Sequence, residues 1–242
     1  MSARVAIAGP PFLTDDPQPV DYQHFEIYAF STYYRTGPDI ATQGPALEVN
    51  WGAVPDVQLH LVIPMAGAFP GGGPNAFGPG DIEMGIKYRF IHETKHRPQF
   101  GVFPFIELPA GSADRGLGNG RTWYRIPLWV QKSGGPWTTY GGGGVVINPT
   151  PGMRNYDFEG WLVQRDIGDK WTLGTELFRH GAVDTDPSTR PSTLWNVGGY
   201  YYFIKPGFQL LFSLGHSVHG APESDAYLGL YWTWGPDASK HP

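Results

Sequence analysis

The sequence contains no cysteine, and this absence removes disulfide bonds, thiol catalysis and cysteine-ligated zinc at once. Charge is scarce as well. Asp, Glu, Lys and Arg make up 16% of the 242 residues, against roughly a quarter in ordinary soluble domains. The 17 basic residues are outnumbered by 22 acidic ones, for a net charge of −5, so the chain offers no basic stripe to nucleic-acid phosphates. No run of 18 apolar residues occurs, which excludes a membrane-spanning helix. What is abundant is glycine (34), proline (24) and aromatic side chains (15%), in a chain whose 40% hydrophobic content is too high for disorder.

The hydrophobic pattern repeats every two residues almost throughout, the period of strands and not of helices. In Asp81–Phe90, one face carries Ile82, Met84, Ile86, Tyr88 and Phe90, and the other carries Asp81, Glu83, Gly85, Lys87 and Arg89. Val57, Leu59, Leu61 and Ile63 alternate with Gln58 and His60, and Leu47, Val49 and Trp51 with Glu48 and Asn50. About twelve such segments follow one another, near 22–34, 45–51, 56–66, 81–91, 99–108, 121–132, 137–148, 156–166, 170–180, 192–204, 207–217 and 225–235. Long connections rich in Gly, Pro and Asp (Gly67–Gly80, Pro109–Gly120, Gly181–Pro191) alternate with short ones (Gly52–Pro55, Ser133–Pro136, Ile167–Asp169, Lys205–Pro206).

An even strand count with that alternation is the pattern of an outer-membrane β-barrel, whose outside loops are long and periplasmic turns short. A soluble sandwich or lipocalin-like barrel would also alternate, but its charged face would be dense and outward. Here mid-strand charges are sparse, as a barrel interior requires. Tyr33, Tyr34, Trp51, Trp123, Tyr124, Trp137, Tyr140, Trp171, Trp195, Tyr200–Tyr202, Trp232 and Trp234 fall near strand ends, where two interfacial girdles would place them. The expected fold is therefore all-β: a single closed antiparallel transmembrane β-barrel of about 12 strands over residues 22–235, with both termini on the periplasmic side. Residues 1–21 form an N-terminal segment, read as a signal remnant, a periplasmic tail or a plug, and 236–242 a C-terminal tail. Ala6-Ile7-Ala8 resembles the A-x-A end of a signal peptide.

Two motifs carry little. His92-Glu93-Thr94-Lys95-His96 matches H-E-x-x-H, but that chemistry needs both histidines one helical turn apart, and this stretch lies between strands with Pro98 following. A polar turn without zinc is expected. Gly116-Leu117-Gly118-Asn119-Gly120 has neither a surrounding strand–helix unit nor the Lys-Ser/Thr of a phosphate loop. No catalytic residue and no cofactor is expected.

The in-strand polar groups say more. A cation on the lipid face costs roughly 2–4 kcal/mol near the midplane, so most of these groups must point inward. Glu26, Glu48, Asn50, Gln58, His60, Glu83, Lys87, Arg89, Glu107, Arg125, Gln131, Glu159 and Glu176 are the candidates for the lumen lining. Glu83 and Lys87, four residues apart along one strand, lie roughly 13 Å apart and must find partners on neighbouring strands, with Glu48, His60 and Glu107 as candidates by parity. Such groups either hold the barrel as an ion-pair lattice or line a solute path.

Gly9-Pro10-Pro11-Phe12-Leu13-Thr14-Asp15-Asp16-Pro17 resembles the start of the outer-membrane proteins of the meta-pathway phenol-degradation family. Gly80–Phe90, Pro127–Lys132 and Gly160–Arg165 are similar to it too, and the resemblance runs from about Gly9 to Trp234. It implies a bacterial outer-membrane barrel, often labelled a transporter, linked to aromatic-compound metabolism, and it brings no catalytic residues. The expected function is a narrow channel for small apolar or aromatic solutes, with outer-membrane lipids and the solute as partners and the oligomeric state open. Twelve strands lie between the filled eight-stranded barrels and the open porins. The alternatives are a structural or ligand-binding barrel without transport, and an outer-membrane lipid enzyme, which a Ser–His pair in hydrogen-bond reach on the outer wall would favour.

Overall fold

The computed structural model describes residues 10–204 and 207–236. Twelve antiparallel strands close into a barrel, two of them interrupted, so that fourteen segments run in chain order. They are β1 (Phe25–Thr36), β2 (Asp39–Val54), β3 (Val57–Phe69), β4 (Ala76–Pro79), β5 (Ile82–Ile91), β6 (Gln99–Val102), β7 (Phe105–Leu108), β8 (Trp123–Gly134), β9 (Trp137–Ile147), β10 (Tyr156–Ile167), β11 (Trp171–His180), β12 (Ser192–Ile204), β13 (Phe208–Gly220) and β14 (Glu223–Trp234). Each strand pairs with its sequence neighbour, and β1 pairs with β14 from Phe25↔Trp234 to Thr36↔Glu223, which closes the barrel.

Both interruptions have a local cause. β4 and β5 pair with the same strand, β3, and the extra residue at Gly80-Asp81 is a bulge between Met65↔Pro79 and Val62↔Glu83. β6 and β7 keep one register against β8, Val102↔Leu128 and Phe105↔Arg125, and part only at Pro104, which has no N–H to donate. The segment β4 lies within what the sequence suggested was a loop, Gly67–Gly80.

The ends of the barrel differ as expected, with two corrections. Two-residue turns at Pro55-Asp56 and Gly135-Pro136 lie at the end that carries both termini, while the long 109–122 and 181–191 connections lie at the other. At that far end, however, 37–38 and 221–222 are also tight hairpin turns, because β1, β2, β13 and β14 run further than their hydrophobic pattern indicates. Residues 92–98 form the longest turn at the near end, and they are not helical. The A-x-A reading at Ala6–Ala8 lies outside the described residues.

The outer face accepts lipid. Leu59, Ile63, Met84, Ile86, Ile126, Leu128, Trp161, Leu173, Val197 and Leu228 are all exposed and all point away from the interior. Such a band is untenable in water and correct in a bilayer. Trp51, Tyr124, Trp137, Trp171, Trp195 and Trp234 are exposed on this face, as girdle residues should be. Trp123, Tyr140, Tyr200 and Tyr202 are not: their parity turns them inward, where Trp123 and Tyr140 are buried.

The interior is divided. Trp123, Trp129, Phe158, Phe178 and Leu194 pack one half into an apolar cluster together with Leu13. Leu13 belongs to the segment Pro10–Asp21, which runs through the inside of the barrel and buries Phe12, Leu13, Thr14, Asp15 and Val20. The wall makes room for it with glycine: a Cβ on Gly160 would strike the Thr14 side chain, and one on Gly101 would press on Pro17 at 2.9 Å. Against β1–β3 and β12–β14, with single inward side chains of β7, β9 and β10 and two of β5, the segment leaves a chamber of about 470 Å³.

Candidate functional site

The polar side chains facing this chamber come from several strands by simple alternation. On β5, Glu83, Lys87 and Arg89 point inward and Met84, Ile86 and Tyr88 are exposed outside, the arrangement the lipid cost demands. Glu83 lies beside His60 of β3. His60 Nε2 is 2.7 Å from Glu83 Oε1, and its Nδ1 is 2.7 Å from Asn50 Oδ1 and 3.6 Å from Glu48 Oε1. Asn50 Nδ2 in turn donates to Glu48 at 2.8 Å. Four of the candidates thus form one buried cross-strand network, as polar groups in an apolar wall must.

Lys87 takes a partner that strand parity could not reveal. Its Nζ is 2.9 Å from Asp15 Oδ1 and 3.8 Å from Asp16, both on the inward-folded N-terminal segment. The same segment is fastened elsewhere. Leu13 and Thr14 donate their backbone N–H groups to the two oxygens of Glu176, each at 2.8 Å, and Val20 donates to Gln58 Oε1 at 3.0 Å. Glu176 also accepts from Asn196 Nδ2 at 2.6 Å, and Ser213 Oγ donates to the Pro11 carbonyl. Glu176 is therefore buried against the segment and not part of the chamber.

The remaining candidates scatter. Glu26 faces the chamber and accepts the hydroxyls of Tyr28 at 3.0 Å and Tyr231 at 2.9 Å. Glu107, beside Glu83 in register, lines the chamber as well. Arg125 is buried in the apolar half with its guanidinium 3.9 Å from the centre of the Phe158 ring. Gln131 is half-buried, with Gln99 and Tyr140 as its register neighbours. Arg89 sits at the near end, donating to Asp56 at 2.6 Å and to Gln18 at 2.6 Å.

Glu159 contradicts its assignment to the interior. It is exposed on the outer wall, beside Arg179 in register and close to the start of β10. Trp161 and Val163 fix the outward parity of that strand, and Glu159 escapes the lipid cost because it lies toward the strand end, where Arg179 pairs with Asp157. The groups the sequence reading missed are Asp15, Asp16 and the inward tyrosines. The two aspartates precede the first strand, so alternation says nothing about them. The tyrosines read equally well as girdle residues.

At the near end, Asp56 gathers Arg89 and His92. Partial burial would raise its carboxyl, but hydrogen bonds from Arg89 Nη2 at 2.6 Å and His92 Nε2 at 2.9 Å, with their charges, hold it below the ordinary carboxylate range. On the outer wall His216 Nδ1 and Ser224 Oγ are 2.9 Å apart. No carboxylate or amide is hydrogen-bonded to His216 among the described residues, so the pair lacks the third group that orients a catalytic base.

No family model and no curated protein matches the sequence. Solved structures do match. An outer membrane channel from Pseudomonas putida F1 is similar with a TM-score of 0.67 at 14% identity, over 90% of this chain and 99% of that one. The NanC porin is similar with a TM-score of 0.57 at 9% identity, over 86% of this chain and 98% of that one. The translocator domain of the autotransporter NalP from Neisseria meningitidis follows at 0.53 and 12%, over 86% of this chain and 88% of that domain. The fold is that of bacterial outer-membrane barrels. At these identities the likeness speaks for the architecture and leaves the solute to the chain's own residues.

Proposed function

We propose that the chain is a bacterial outer-membrane channel for small solutes, with aromatic compounds as the class favoured by the sequence resemblance to the meta-pathway phenol-degradation family. The observation that supports this reading is the hollow left inside a lipid-accepting wall: a chamber of about 470 Å³ lined by Tyr28, Phe30, Phe103, Tyr200 and Tyr231 among polar groups. Rings of this kind offer an aromatic solute stacking surface, and hydroxyls and amides offer it hydrogen bonds. In this reading Glu26, Glu48, Asn50, Gln58, His60, Glu83, Lys87 and Glu107 form the lining, and the N-terminal segment narrows the path. Planar-bilayer recording of the refolded protein tests it. Discrete small conductance steps that phenol reduces are expected, and a silent bilayer would remove the channel reading.

A binding barrel without transport is the second reading. It is favoured by the buried anchoring of the segment at Glu176, Gln58 and Lys87. The pair His216–Ser224 favours a lipid hydrolase, but an unoriented histidine is a poor base. Wild-type protein and Ser224→Ala are expected to be equally inactive on phospholipid in mixed micelles, and hydrolysis lost on that substitution would reinstate the enzyme.

A further inference from the structure

The chamber's charges do not balance. Leaving aside Glu107 and Asp81, the latter held by the N–H groups of Gly111 and Asn119, the carboxylates Asp15, Asp16, Glu26, Glu48 and Glu83 line it against Lys87 and His60. Lys87 is already engaged by Asp15 and Asp16, and His60 by Glu48 and Glu83. Glu26 has hydroxyl donors, Tyr28 and Tyr231, in place of a cation. Carboxylates withdrawn from bulk water without a matching positive charge are costly, so the chamber is prepared for a cation it does not itself supply.

The aromatic lining points the same way. Tyr28, Tyr140, Tyr200, Tyr202, Tyr227 and Tyr231 all face this space, and the face of an aromatic ring attracts an ammonium group. Four buried side-chain oxygens on the lining, Thr14 Oγ1, Asp15 Oδ2, Gln164 Oε1 and the Tyr227 hydroxyl, have no hydrogen-bond partner among the described residues. Buried groups of this kind are normally satisfied, and each of these oxygens can accept from an ammonium or amine N–H. Among the described residues no three acidic or histidine side chains converge as metal ligands. The volume falls within the roughly 300–1,000 Å³ of small-molecule sites.

We infer that the chamber is a binding site for a small organic cation, an amine carried on an aromatic or aliphatic body. The inference deepens the proposed function and rests on it for the chamber being the solute's site, though not for conduction.

Calorimetric titration of the refolded full-length protein with three probes of one shape, benzylamine, benzyl alcohol and benzoate, tests it. Benzylamine should bind at least about tenfold more tightly than the alcohol, and benzoate should bind least. Glu26→Gln should reduce benzylamine affinity by about tenfold while leaving the alcohol unchanged. Equal affinities for amine and alcohol, a preference for benzoate, or no binding of the amine would each overturn the inference. The wild-type comparison decides even if the variant does not refold. Bilayer recording on the same preparation separates the two readings. Conduction without amine preference removes the organic-cation site alone, and amine preference in a silent protein removes the channel alone.

Discussion

Lys87 is the side chain on which the interior turns, because it joins a wall strand to the inserted segment. With its side chain 7% exposed and that of Asp15 2% exposed, the pair is shielded from solvent. Removing one member of such a pair strands the other and typically costs about 3–5 kcal/mol. Lys87→Met is therefore expected to lower the urea midpoint of the refolded barrel, and Lys87→Met with Asp15→Asn to recover much of the loss. A single variant as stable as wild type would show that water already reaches Asp15. Asp56 supports a pH prediction of known sign. Its folded carboxyl titrates below the ordinary value, so its stabilising contribution is present above the unfolded carboxylate pKa of about 4 and is lost as pH falls through the lower folded value. The thermal midpoint of wild type should fall between about pH 5 and pH 2 more steeply than that of Asp56→Asn. Parallel curves would count against the Arg89–Asp56–His92 cluster.

At the scale of elements, the strands were legible because lipid permits one parity and forbids the other. Asp81–Phe90 is the clearest case: the apolar set had to face outward, and Glu83, Lys87 and Arg89 do point inward. Alternation fails near strand ends, where either parity is tolerable. Glu159 is misassigned for that reason, and Tyr200 and Tyr202 pass for girdle residues. It also misses strands that are broken: β4 ends at a bulge, and its four residues are too few to carry a period. The bulge has a purpose. It frees Asp81 to accept the N–H groups of Gly111 at 2.8 Å and Asn119 at 2.5 Å, fastening the long 109–122 connection to the wall. Asp81→Ala leaves those donors without their acceptor, at about 1–3 kcal/mol. Hydrogen exchange and limited proteolysis should report faster opening of residues 109–122 while the strands stay protected. Unchanged protection in that connection would mean other contacts hold it.

At the scale of the whole molecule, closure and lipid face were evident from the sequence, whereas the occupancy of the interior was not. Residues 10–21 have no period, and their hydrogen-bond partners, the acceptors Glu176 and Gln58 and the donor Ser213, lie on distant strands. Only the assembled barrel brings these groups together. The segment makes a further prediction at this scale. Protein lacking residues 1–19 should refold to the same heat-modifiable barrel with larger conductance steps, since the wall's own ladder is independent of the segment. Failure to refold would make the segment part of the core, as its share in the Leu13 cluster allows.

The pairing of β1 with β14 also bears on the order of events in assembly. The two partners, Phe25 and Trp234, stand at opposite ends of the barrel's chain, so the last seam cannot form until every other strand has emerged and docked. Contacts of such sequence separation carry a large loop-closure entropy and make folding slow. Until that seam closes, two edges stand open and the interior is accessible from the side. The segment's bonds to Glu176 and Ser213 span more than half the sequence, so they too are late events. A barrel zipping shut around a strap anchored at its own entrance would trap the strap inside without threading it. The final hydrogen-bonded seam is in this sense a kinetic latch.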